Sequence, residues 1–165
     1  MNRTITRLSS TAVAVAATVG AVLAAAPTAT AAPVPVRVDQ IPATSLTLNG
    51  LVVPSLWLVS IKVTSPARGV IEMSVPTGPE RCATTAARTS IRLDYLNTGN
   101  GRFGSIEVKP CDNRFIKAPQ VARVAIGSGR VVGTINVLPT ERIQDEPFFG
   151  PGQPSGPGYA TFVVP

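Results

Sequence analysis

SIRLDYLNTGNGRFGSIEVK, Ser90 to Lys109, is the stretch on which the fold assignment turns. In its first half Ile91, Leu93 and Tyr95 alternate with Arg92 and Asp94, and in its second half Ile106 and Val108 alternate with Glu107 and Lys109. A period of two sends successive side chains to opposite faces of a pleated strand, so each half reads as a strand with one apolar face. Between the halves, Asn97-Thr98-Gly99-Asn100-Gly101 supplies the Asn and Gly that tight turns need for positive φ. The stretch predicts an antiparallel hairpin.

Extending the hairpin to its open end brings the neighbourhood of Cys82 towards Cys111, and these are the only two cysteines of the chain. A lone pair in a small exported domain forms an internal disulfide, which here would staple the hairpin base against a register slip. A redox-active pair would call for a Cys-x-x-Cys spacing, which is absent.

The same alternation recurs on both sides. Trp57, Val59, Ile61 and Val63 share one face and Leu58, Ser60, Lys62 and Thr64 the other; Ile71, Met73 and Val75 alternate with Glu72 and Ser74. Val36–Ile41 and Thr44–Val53 add strands broken near Pro42 and Asn49-Gly50, and Tyr159–Val164 closes the set. Val121–Ile126, the turn Gly127-Ser128-Gly129-Arg130 and Val131–Leu138 read as a second hairpin. The expectation is an all-β single domain of about seven to nine short strands, a β-sandwich of immunoglobulin-like kind with one disulfide.

Ahead of this domain Arg3 and Arg7 are followed by an uncharged Ala- and Val-rich run, Leu8–Ala26, and by Ala29-Thr30-Ala31. A basic start, an apolar middle and a small-x-small end make residues 1–31 a secretory signal peptide cleaved after Ala31. The run is rich in Ala and Thr rather than Leu and Ile, against a retained anchor, and no Cys near the cut could carry a lipid. The expected product, residues 32–165, is secreted, extracellular or loosely associated with the cell wall, with no transmembrane anchor. Within it, residues 146–158, EPFFGPGQPSGPG, read as a Pro- and Gly-rich loop.

Composition restricts function by subtraction. The chain has no histidine, which removes Ser-His-Asp and Cys-His nucleophiles, the usual zinc sites and imidazole acid–base catalysis. No cofactor and no metal site is expected. A carboxylate-pair hydrolase remains open, and Asp94 and Glu107 could meet across the first hairpin, but with Arg92 and Lys109 beside them they read as cross-strand ion pairs. Gly127, Gly129 and Gly133 have the wrong spacing for a dinucleotide loop, and Asp145-Glu146 and Asp112-Asn113 lack an ordered calcium loop. Removing Arg3 and Arg7 takes the formal charge from +6 to +4, and the remaining Arg are scattered, so no nucleic-acid partner is expected. No internal repeat or family motif stands out.

The functional expectation is a non-catalytic binding or cell-envelope protein whose partner is a cell-wall polymer or an envelope protein. Phe148, Phe149 and Tyr159 are the candidate contact residues, and an exposed edge strand is the second candidate. A small hydrolase using a carboxylate pair and an outer-envelope β-barrel are the alternatives.

Overall fold

The computed structural model describes residues 32–49, 53–114, 116–139 and 154–165; the segment read as a signal peptide, with Phe148 and Phe149, lies outside the described residues. The described chain is all-β apart from one short helix and one 3-10 turn. The strands are β1 (Val34–Val36), β2 (Val38–Ile41), β3 (Ala43–Asn49), β4 (Val53–Val59), β5 (Lys62–Ala67) and β6 (Val70–Ser74). After helix α1 (Pro79–Cys82) and the 3-10 turn Thr85–Arg88 come β7 (Thr89–Asn97), β8 (Phe103–Val108), β9 (Val121–Ala125), β10 (Gly129–Pro139), β11 (Ser155–Gly156) and β12 (Gly158–Val164).

They pair antiparallel into three sheets: β1-β5-β6-β9, β2-β12-β10-β7-β8 and β11-β3-β4. Alternation decides which side of each strand is buried. Ile71 and Met73 of β6, Ile91 and Leu93 of β7, Ile135 of β10 and Trp57 and Val59 of β4 belong to one hydrophobic core to which all three sheets contribute.

The Ser90–Lys109 hairpin forms as read, with Ile91 opposite Val108 and Leu93 opposite Ile106. Asn97 closes it: its amide nitrogen donates to the carbonyl of Arg102 at 2.7 Å, and Gly101 takes φ +73° in the turn. Cys82 and Cys111 are joined with Cα atoms 5.7 Å apart, tying α1 to the residues just beyond β8. Nearby, the Asn113 side chain donates to the carbonyls of Ala87 and Cys111, binding the two cystine arms a second time.

More and shorter strands form than the seven to nine expected, because the chain breaks where it passes between sheets. β1 pairs with β5 but β2 with β12, so the passage falls at Arg37; at Pro42, which has no N–H for a ladder, β2 gives way to β3 of another sheet. The run from Trp57 to Val63, read as one strand, is two: β4 and β5 lie in different sheets, although Trp57, Val59, Ile61 and Val63 are all buried. At that break the Gln40 side chain accepts from the Ile61 N–H at 2.9 Å and donates to the Ile61 carbonyl at 3.1 Å. It thereby replaces the ladder partners that Ile61 gives up in leaving the sheet.

The second hairpin expected from Val121–Leu138 does not form. β9 pairs with β6, whereas β10 lies between β7 and β12, so Gly127-Ser128 is a corner between two sheets. Buried Asn97 fills that corner: its Nδ2 donates to the carbonyls of Ile126 (3.1 Å), Gly127 (2.9 Å) and Ser128 (3.3 Å), while its Oδ1 accepts from Gly99 N–H at 2.9 Å. Gly129, at φ +132°, must be glycine here, since a Cβ would stand 2.6 Å from Asn97 Oδ1. The Pro165 carbonyl adds a further tie by accepting from Gly69 N–H and Ser128 Oγ.

Candidate functional site

The pleat that buries one side of the five-stranded sheet presents the other side to solvent, and register aligns its outward residues in rows. One row reads Ile41, Tyr159, Thr134, Asp94, Ser105 from β2 across to β8. The next reads Asp39, Thr161, Val132, Leu96, Phe103. Five of these ten residues are large hydrophobics with high exposure: Phe103 at 82%, Ile41 at 66%, Tyr159 at 56%, Leu96 at 43% and Val132 at 39%. Single exposed apolar residues are ordinary on a surface, but a cluster on one sheet face makes this face the candidate contact surface. The face is slightly hollow, a shallow trough of about 1030 Å³ lined by both rows.

The polar groups in the trough are oriented. Arg92 Nε lies 3.2 Å from the Asp94 carboxylate and Asn136 Nδ2 donates to Asp94 Oδ2 at 2.8 Å. Arg37 Nε similarly holds Asp39 Oδ1 at 3.1 Å. These pairs are solvent-exposed and add little to stability, but they fix where the carboxylates point. Arg92 also sits opposite Glu107 on β8, whereas Asp94 sits opposite Ser105. The acids considered for hydrolysis thus lie on an open sheet face beside cations rather than facing each other across a cleft. Among the described residues no three His, Cys, Asp or Glu side chains are grouped to hold a metal ion.

Of the contact residues expected from the sequence, Tyr159 lies exposed near the start of β12, on the trough. Phe148 and Phe149 lie outside the described residues. Ile41, Leu96, Phe103 and Val132 escaped the sequence reading, although a signal was present. Leu96 and Val132 occupy the polar phase of strands whose alternate positions, Arg92 and Asp94 or Thr134 and Asn136, are hydrophilic.

A second apolar face lies on the three-stranded sheet, where Leu46 is directly opposite Leu56 and Leu58 is exposed nearby. The β3–β4 connection and the residues before Pro154, which border that sheet in the chain, lie outside the described residues. Among the described residues no helix is long and apolar enough to cross a membrane. No protein-family model matches the chain, nor does any curated protein or solved structure.

Proposed function

We propose that the protein is a secreted, non-catalytic binding module that contacts the cell envelope through the outer face of its five-stranded sheet. The observation that carries this reading is the cluster of Ile41, Leu96, Phe103, Val132 and Tyr159 on one solvent-facing trough. Leaving five large apolar side chains in water on one face is unfavourable by roughly 25 cal/mol for each Å² that a partner could cover, and a binding surface recovers that term when occupied.

The architecture we propose is a β-sandwich, supported by the single core that the four- and five-stranded sheets share. The immunoglobulin-like variant has less support, because its characteristic disulfide bridges two facing strands and Cys82 instead stands in α1. Export is supported by the leader-like sequence of residues 1–31 and by the cystine, which persists in an oxidising compartment. A binding role is favoured over an outer-envelope barrel because, among the described residues, β2 and β8 are unclosed edges of the five-stranded sheet, and a spanning barrel needs closure.

The test is capture. Residues 32–165, purified from the exported protein, are incubated with separated envelope fractions, and retained material is compared between the native protein and the Tyr159→Ala, Phe103→Ala double variant. A Phe148→Ala, Phe149→Ala double variant runs alongside. We expect the first variant to lose retention while its thermal unfolding stays near native, since both side chains are exposed. Undiminished retention would show that the sheet face is not the contact surface, and retention lost only in the second variant would place it on the Pro- and Gly-rich segment.

A further inference from the structure

The trough constrains the chemistry of its occupant. It is aromatic at two separated points: Tyr159 on β12 and Phe103 on β8 are three strand intervals apart, about 14 Å across the sheet. Tyr159's row continues across the sheet through a hydroxyl, a carboxylate and a second hydroxyl, those of Thr134, Asp94 and Ser105, the last beside Phe103 on β8. Among the described residues the lining carries charge only at Asp39 and Asp94, and each is already matched by an arginine of the same chain, Arg37 at 3.1 Å and Arg92 at 3.2 Å. A charged ligand would therefore meet no uncompensated charge in this lining, and bringing one in would cost its hydration without a partner to replace it. The occupant that complements such a surface is uncharged.

Size narrows the choice further. Four strand intervals by the one two-residue step between the rows span about 19 by 7 Å, roughly 130 Å². A specific protein–protein interface covers about 800 Å² on each partner, so neither a second copy of this chain nor a folded partner is satisfied by the patch. A narrow chain laid across the strands is.

We propose, on the reading that this face is the contact surface, that the trough binds a neutral polysaccharide, a chain of hexopyranose units lying across β12, β10, β7 and β8. A pyranose ring has an apolar C–H face, which stacks on the electron-rich faces of Tyr159 and Phe103, and a rim of hydroxyls. Asp94 suits the rim. A carboxylate has about four lone-pair directions, and Arg92 and Asn136 use two of them, leaving acceptor capacity for sugar hydroxyls in charge-assisted hydrogen bonds. Thr134 and Ser105 can donate and accept on either side of it. Because the trough is open and shallow, affinity comes from several rings at once and requires an oligomer.

The experiment titrates the purified domain by calorimetry with cellohexaose, mannohexaose and fully N-acetylated chitohexaose, with a hexamer of galacturonic acid as the charged control. Binding of at least one neutral hexamer is expected, with little change in 0.5 M salt, weakened about tenfold by Tyr159→Ala and by Phe103→Ala. Tyr159→Phe should restore most of it, and Asp94→Asn should weaken it. Preference for the galacturonic acid hexamer, or binding indifferent to both aromatic substitutions, overturns the proposal. If no hexamer binds while envelope capture still depends on Tyr159 and Phe103, the polysaccharide assignment fails and the contact surface stands. If capture is independent of them as well, both fall.

Discussion

Asn97 shows how much a single side chain can decide. It is fully buried, ends β7, and satisfies three carbonyls of the chain that turns from β9 into β10. Asn97→Asp replaces a donor with an acceptor facing those carbonyls and should lower unfolding free energy by about 3 kcal/mol, read from urea denaturation. A loss within experimental error would mean that the corner is held by the glycines alone. Ser45 is the opposite case. It is 1% exposed and its Oγ has no hydrogen-bond partner among the described residues, so these leave the buried hydroxyl uncompensated. Ser45→Ala should therefore raise stability by about 1 kcal/mol in the same assay, and a decrease would show that the hydroxyl finds a partner in solution.

Among elements, the cystine joins α1 to the far side of β8 across a sequence separation of 29. In the chain-entropy account, closing a loop of that length disfavours the unfolded state by about 3 to 4 kcal/mol. Cys82→Ser combined with Cys111→Ser should shift the urea midpoint downward by an equivalent amount, while the hairpin register, read from nuclear Overhauser contacts between β7 and β8, stays the same. A register shift would show that the crosslink sets the pairing as well as stabilising it. The hairpin itself was legible because its alternation and turn residues are local. The β9–β10 pairing was misread for the same reason. Gly127-Ser128-Gly129 offers the positive φ that either a hairpin or a corner requires, with φ +79° at Gly127 and +132° at Gly129, and only the placement of β6, β7 and β12 decides between them.

At the scale of the molecule, three sheets share one core and are tied at corners by Gln40, Asn97 and the Pro165 carbonyl. Such coupling leaves no sheet able to unfold without exposing the core of the others, so a single cooperative transition is expected. Trp57, the only tryptophan, reports on the three-stranded sheet, while far-UV circular dichroism reports on all strands. The two urea transitions should coincide. Separate midpoints would show that the three-stranded sheet melts independently. The proposed contact face belongs to this scale too. Leu96 and Phe103 already pair across the local β7–β8 hairpin, but Val132 and Tyr159 join them only because β10 inserts between β12 and β7, and the outer side of that sheet is left uncovered by the other described strands.

The residues alone determined that the chain is β-rich, where its first hairpin turns and which cysteines bond, because two-residue alternation, Asn-Gly turn chemistry and a lone cysteine pair are local or combinatorially unique signals. They also singled out Tyr159. Which strands share a sheet, where the chain crosses between sheets, and which apolar side chains stay in water were settled by tertiary structure. The physical reason is that alternation states which face of a strand is apolar but is silent on what packs against it. An outward Leu96 and an inward Leu93 differ only in whether another layer covers them.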